Sequence, residues 1–310
     1  MIQELKKRIF LFAIIFGSLV VRLSGQTRLV IGTLEPNHHE WTEQQTAPLA
    51  VISHFEKTKN GWQPLADSAG LPQKLSFNIF YNNKKLGAVQ TRYNKDLDTT
   101  FYAFNWYKIT GGKAPRVGTR STIFSGWPSY PMYRPLVAGT QANYRQKKII
   151  KKGKGTPKEI QVLDNYLKQK AAEMNLGEIP EEVKQITQSI SALYTINDSC
   201  YLAEATINLN IYCFIDKVPF ADAAEHPWNT VEKMIVQNPG NPPVSKKVLF
   251  LVNGKTIKIV GRNLTFLDSG DYDNDGYDEI IFKKQIYNWD SYIMIINKYN
   301  DFIENGWGYN

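Results

Sequence analysis

A mainly β fold of antiparallel sheets with a two-helix insert is what this chain predicts, on three observations. Short segments alternate apolar and polar residues at the two-residue period of a strand, with Gly, Pro and Asn between them. A single stretch, opening Thr156-Pro-Lys-Glu159, switches to helical spacing. With 43% hydrophobic and 13% aromatic residues in 310, the chain has ample material for a core.

Residues 1–25 read as a signal peptide and not as part of the fold. Lys6, Lys7 and Arg8 form a positive start, Ile9 to Val21 an apolar run, and Ser24 and Gly25 the small residues of a cleavage site. The run is short for a membrane span, and Arg22 directly after it leaves the cleavage point open. An uncleaved amphipathic anchor is the alternative. Export is therefore expected, to the periplasm, the cell surface or the medium, with no stable membrane span after cleavage.

Residues 26–144 form an N-terminal β region. Pro48 to Phe55 is a strand ended by Lys57-Thr-Lys-Asn-Gly61, and Leu75–Tyr81 turns through Asn82-Asn83 into Leu86–Thr91 as a hairpin. Thr99 to Ile109 and Gly118 to Phe124 continue the pattern. Residues 145–190 are a basic linker and helical insert. Seven Lys or Arg fall between Arg145 and Lys158, which reads as a solvated stretch. Thr156 then caps a helix, with Pro157 in its first turn and Glu159 completing a capping box. Ile160, Leu163, Tyr166 and Leu167 share one face of it, and Pro180-Glu-Glu-Val183 opens a second, shorter helix ending near Ile190. Residues 191–310 return to β. Ala205 to Tyr212 is a strand, Lys247–Val252 and Lys255–Val260 flank an Asn253-Gly254 turn, and Ser291–Asn297 and Phe302–Tyr309 close the chain.

The densest chemical signal lies in Asp268-Ser-Gly-Asp-Tyr-Asp-Asn-Asp-Gly-Tyr-Asp-Glu279, six carboxylates in twelve residues of a chain with net charge +8. That many negative charges repel one another unless a cation gathers them, and Ca²⁺ takes six to eight oxygen ligands. Asp271, Asp273 and Asp275 alternate, Gly276 supplies a sharp turn, and the Tyr277 carbonyl offers a further oxygen. An EF-hand requires Glu at the twelfth position of its loop, where Phe282 stands, so Glu279 is the expected closing ligand and Asp278 is expected to face solvent. An Asp/Gly-rich turn without metal is the competing reading.

From Leu267 to Ile281 the run resembles the calcium loop of FG-GAP (VCBS-type) repeats, the units of integrin-like β-propellers. The resemblance implies a propeller-like or integrin-α-like arrangement of sheets and a structural Ca²⁺. It also implies Asp271, Asp273, Asp275 and Glu279 as side-chain ligands, with Tyr277 binding through its carbonyl. One copy is present.

No other constellation defines a reaction. His38-His39-Glu40, near Glu35, alternates faces on a strand and reads as a polar turn, His54 as a strand residue near the surface, and His226 as a loop residue. Gly111-Gly112-Lys113 lacks the spacing of a phosphate loop. Cys200 and Cys213 are candidates for a disulfide in an exported chain, with two buried thiols as the alternative. The aromatic clusters at Trp106-Tyr107, Phe124–Tyr133 and Trp289–Tyr292 read chiefly as packing, with stacking on a carbohydrate or protein as the functional alternative. Four bases against Glu4 in the signal segment leave about +5 of the +8 on the rest, too modest for the broad basic face of a nucleic-acid binder. The expected function is an exported, calcium-stabilised binding or surface-interaction module with a protein or carbohydrate ligand. A secreted hydrolase acting on glycan or peptide is the alternative, and an envelope component docking through the helical insert is a third reading.

Overall fold

The structure, a computed structural model, describes residues 28–36, 49–65, 71–82, 84–94, 105–115, 134–141, 151–173, 186–208, 245–262, 264–286 and 289–308. They form three antiparallel sheets and one helix.

The first sheet closes on itself. It comprises β1 (Leu29–Pro36), β2 (Leu49–Thr58), β3 (Gly61–Pro64), β4 (Lys74–Tyr81), β5 (Lys84–Tyr93), β6 (Asn105–Gly112) and β7 (Leu136–Gly139). Neighbours run β1-β7-β4-β5-β6-β2, and β1 pairs with β2 to complete the ring, while β3 extends from the far end of β2. Alternation decides which side chains fill the barrel. Val30, Leu34, Phe77, Ile79, Leu136 and Ala138 point inward, whereas Ile31, Phe80 and Val137 point out. The barrel side of one interface is thus built from the outward set.

A bulge shapes that interface. Ile31 pairs with Phe55 and Gly32 with Ser53, so His54 is an extra residue on β2. The strands approach so closely that a Cβ on Gly32 would lie 2.0 Å from the Ile52 carbonyl oxygen. Only glycine fits there.

The second sheet, ordered β12-β11-β10-β9-β8, contains β8 (Lys151–Gly153), β9 (Thr187–Asn197), β10 (Cys200–Asn208), β11 (Ser245–Asn253) and β12 (Thr256–Arg262). Helix α1 (Pro157–Glu173) covers one of its faces. At the start of α1 the Glu159 half of the predicted capping box is in place: the Thr156 backbone N–H donates to Glu159 Oε2 at 2.8 Å, and the Thr156 hydroxyl donates to the same oxygen. Leu163 and Leu167 are fully buried against Ala203, Ala205 and Phe250. Asp164 Oδ1 accepts from Ile186 N and Thr187 N at 2.6 and 3.1 Å, fixing the start of β9.

The third sheet runs β13 (Leu264–Gly270), β14 (Glu279–Ile286), β15 (Trp289–Ile296) and β16 (Asp301–Gly308). It lies between the other two. Ile280, Phe282, Ile293 and Ile295 pack on the second sheet, and Ile281, Tyr292 and Met294 on the barrel. Burial on both faces explains why Tyr292-Ile-Met-Ile-Ile296 is continuously apolar where a half-exposed strand would alternate.

The mainly β, antiparallel class holds. The propeller-like part of the expectation is not confirmed, since the sheets stack face to face in layers. The expected end of the second helix is corrected: residues 187–190 belong to β9 and pair with β10. Ile190, Ala192 and Ile196 are buried at strand spacing, and that burial fixes 187–190 as strand; the expected helix start at Pro180-Glu-Glu-Val183 lies outside the described residues. The basic linker also contributes a short edge strand, β8, paired with β9. Among the described residues no helix is long and apolar enough to cross a membrane. His38, His39, His226, Cys213 and the aromatic loop from Phe124 to Tyr133 lie outside the described residues.

Candidate metal centre

The acidic run is the connection between β13 and β14, at one end of the twice-buried sheet. Asn274 and Gly276 have φ of 59° and 93°, the left-handed conformation that turns the loop on itself. Side-chain oxygens of Asp271, Asp273 and Asp275, one from each, lie within 4.8 Å of one another. Local N–H groups hold them: Gly276 N donates to Asp271 Oδ2 at 3.1 Å, Asp275 N to Asp273 Oδ1 at 3.0 Å, and Tyr277 N to Asp275 Oδ1 at 2.8 Å. Asp271 is 1% exposed, and its Oδ1 is buried with no hydrogen-bond partner. A buried carboxylate oxygen so placed is costly unless a cation meets it. Burial pushes the Asp271 carboxyl upward, with the charges of Asp273 and Asp275 adding to it.

Glu279, the expected closing ligand, is held by partners of its own. It is not in the 4.8 Å group. Its Oε1 accepts from Trp62 Nε1 at 3.1 Å and its Oε2 from Tyr272 N at 2.9 Å. Burial, then the Asp273 charge, pushes it up to about 9. Asp278 was expected to face solvent and is instead buried, because its backbone N–H docks on the Tyr299 hydroxyl at 3.2 Å. The Tyr277 ring is exposed, with Lys298 Nζ 4.8 Å from its centroid.

Two elements grip the loop from outside it. On the barrel side, Lys57 of β2 forms an ion pair with Asp273, and Trp62 of β3 reaches Glu279. The β15–β16 turn grips through Tyr299, in a run of three consecutive positive-φ residues, Asn297, Lys298 and Tyr299. Such a run is rare without glycine and marks a position that the surrounding structure holds firmly. Sequence spacing carries no trace of Lys57 or Trp62, which lie more than two hundred residues away.

The residues present fit a hard cation. All the donors are oxygen, as Ca²⁺ and Mg²⁺ require, and one buried oxygen lacks a partner. Lys57 supplies part of the countercharge, and a cation would share Asp273 with it.

A second polar cluster, which sequence reading missed, lies between the barrel and the third sheet. His54 was expected near the surface and is 2% exposed, stacked on Tyr292 with ring centroids 3.9 Å apart. Thr33 Oγ1 donates to Glu35 at 2.6 Å and lies 2.8 Å from His54 Nε2, while Tyr292 donates to the same carboxylate at 2.9 Å. Because the single Thr33 proton goes to Glu35, His54 Nε2 must be the donor to Thr33. An imidazole that donates to a hydroxyl cannot activate it as a base. Lys283 Nζ, 3.9 Å from Glu35, completes the buried group. Of the aromatic candidates, Trp106, Tyr107 and Tyr292 are buried packing residues. Cys200 is a buried free thiol, pushed up to about 11 by burial.

No protein-family model matches the chain, and neither a curated protein nor a solved structure matches it.

Proposed function

We propose that this chain is an exported β protein stabilised by a calcium ion in the β13–β14 loop, acting as a binding or surface-interaction module. The observation that carries the metal part is the gathering of Asp271, Asp273 and Asp275 within 4.8 Å around a buried, unpartnered Asp271 oxygen. These three are the side-chain ligands in this reading. The Tyr277 carbonyl and Glu279 complete the set that the FG-GAP resemblance implies, and each Glu279 oxygen keeps a second lone pair beyond its present bond. The ion's role is structural: it neutralises the loop and so steadies β13, β14 and the hairpin that docks on them. Calorimetric titration of the full chain with calcium tests the reading, with Asp273→Asn as control. Stoichiometric binding that the variant abolishes supports it, and a flat titration of the unaltered chain removes the metal.

A further inference from the structure

The outer wall of the barrel carries a charge pattern that folding alone does not explain. β4, β5 and β6 hold five basic residues, Lys74, Lys84, Lys85, Arg92 and Lys108, and no acidic one. Three of them stand in a line across the strands: Lys74 pairs with Arg92, and Arg92 with Lys108. All three are exposed, and none forms an ion pair with a described residue. Like charges directly opposite one another on neighbouring strands destabilise a sheet, yet here two such pairs occur in succession.

We propose that this row is a docking strip for a linear anionic glycan, a chain bearing carboxylate or sulfate groups laid across β4, β5 and β6. This deepens the surface-interaction reading above and rests on it. Adjacent strands place the three cations at intervals of about 4.8 Å, a one-dimensional array that rewards a linear polyanion. The neighbouring row is polar and uncharged: Ser76 pairs with Gln90, and both are exposed. Hydroxyl and amide groups beside a line of cations suit a polymer whose anionic groups alternate with hydroxyls. Single-stranded nucleic acid would call for exposed rings to stack on, and the described residues of this wall supply none. Leu86 and Tyr277 are the large hydrophobics exposed among the described residues, and Tyr277 belongs to the acidic loop. A lipid leaflet is met by apolar side chains set among the basic ones. Leu86 lies six residues along β5 from Arg92, about 20 Å from the row.

Fluorescence anisotropy of a labelled heparin oligosaccharide with the full chain, in EDTA and at about 0.15 M salt, tests the strip. The row variant carries Lys74→Gln, Arg92→Gln and Lys108→Gln. Its charge-matched control carries Lys154→Gln, Lys158→Gln and Lys255→Gln, all at exposed positions elsewhere. The expected result is salt-sensitive binding that the row variant weakens about tenfold or more and the control changes less than about twofold. Circular dichroism verifies that both variants fold, and the single variants Lys74→Gln and Lys108→Gln replace the triple one if it does not. Absence of binding, or equal loss in row variant and control, overturns the strip. Tighter binding of oligo-dT or phosphatidylglycerol vesicles than of heparin overturns the glycan assignment. Glycan binding that survives alongside a flat calcium titration would sink the metal reading and leave this one standing.

Discussion

His54 shows how far a single side chain's role depends on what closes over it. Burial, then the charge of Lys283, holds its pKa well below the ordinary 6.5. On unfolding that value returns, so below about pH 6.5 the unfolded chain takes up a proton that the folded chain refuses. The His54 contribution to stability is therefore complete above that pH and lost as the solution is acidified, whereas the raised Glu279 contributes in the opposite sense. Denaturant melts at neutral pH and at about pH 5.5 isolate the His54 part as the difference between the unaltered chain and His54→Gln, which keeps an N–H donor for Thr33: the variant should lose less stability, or gain more, on acidification. Trp62 gives a second prediction at this scale. Its indole N–H donates to the buried Glu279 carboxyl group, so Trp62→Phe leaves a buried acceptor unpaired and is expected to cost about 1–3 kcal/mol. Chemical denaturation measures it, and no change would mean that the hairpin does not hold the loop. Neither role is legible in sequence, where His54 reads as a strand residue near the surface and Trp62 belongs to no motif.

At the scale of elements, the local devices were legible and the close approaches were not. Thr156 and Glu159 meet at the start of α1 as their spacing predicts, and Thr156→Ala, which removes the hydroxyl that donates to Glu159, is expected to cost about 1 kcal/mol in thermal or chemical melts. The bulge at Gly32 announces itself by no motif, because it depends on β2 passing against β1. A methyl group there meets the Ile52 carbonyl at 2.0 Å, so Gly32→Ala is expected to destabilise by roughly 1–3 kcal/mol or to prevent folding. Wild-type stability in that variant would show that the two strands can part. β9 is the converse case. Its opening residues, expected to end a helix, are strand because they pair with β10.

For the whole molecule, the acidic loop is where the layers meet. It ends the central sheet, takes Lys57 and Trp62 from the barrel, and rests on Tyr299 from the β15–β16 turn. Arg134 adds a further tie across the same interface, donating from Nη2 to the Phe266 and Leu267 carbonyls at 2.9 and 3.1 Å. A cation in the loop should thus stabilise the barrel together with the sheet, as one cooperative unit. At calcium concentrations about a hundred times the dissociation constant, the gain expected is about 2.7 kcal/mol. Scanning calorimetry with calcium and with EDTA measures it. A rise in melting temperature that Asp271→Asn abolishes is the expected result. A transition that splits in two on adding EDTA would show that the loop alone joins the layers.

By itself the sequence determined the mainly β class, the helix opening at Thr156, the β11–β12 hairpin (its turn at Gly254-Lys255, one residue beyond the expected Asn253-Gly254) and the acidic loop with its three alternating aspartates. Each of these is written in neighbouring residues, through a two-residue period, a cap or a turn. Tertiary structure alone decided that β1 closes a barrel on β2, that His54 and Asp278 are buried, that Glu279 turns to Trp62, and that Lys74, Arg92 and Lys108 stand in one row. Periodicity reports which face of a strand is apolar. It does not report which strand lies beside it, because pairing partners are chosen by packing between segments far apart in the chain.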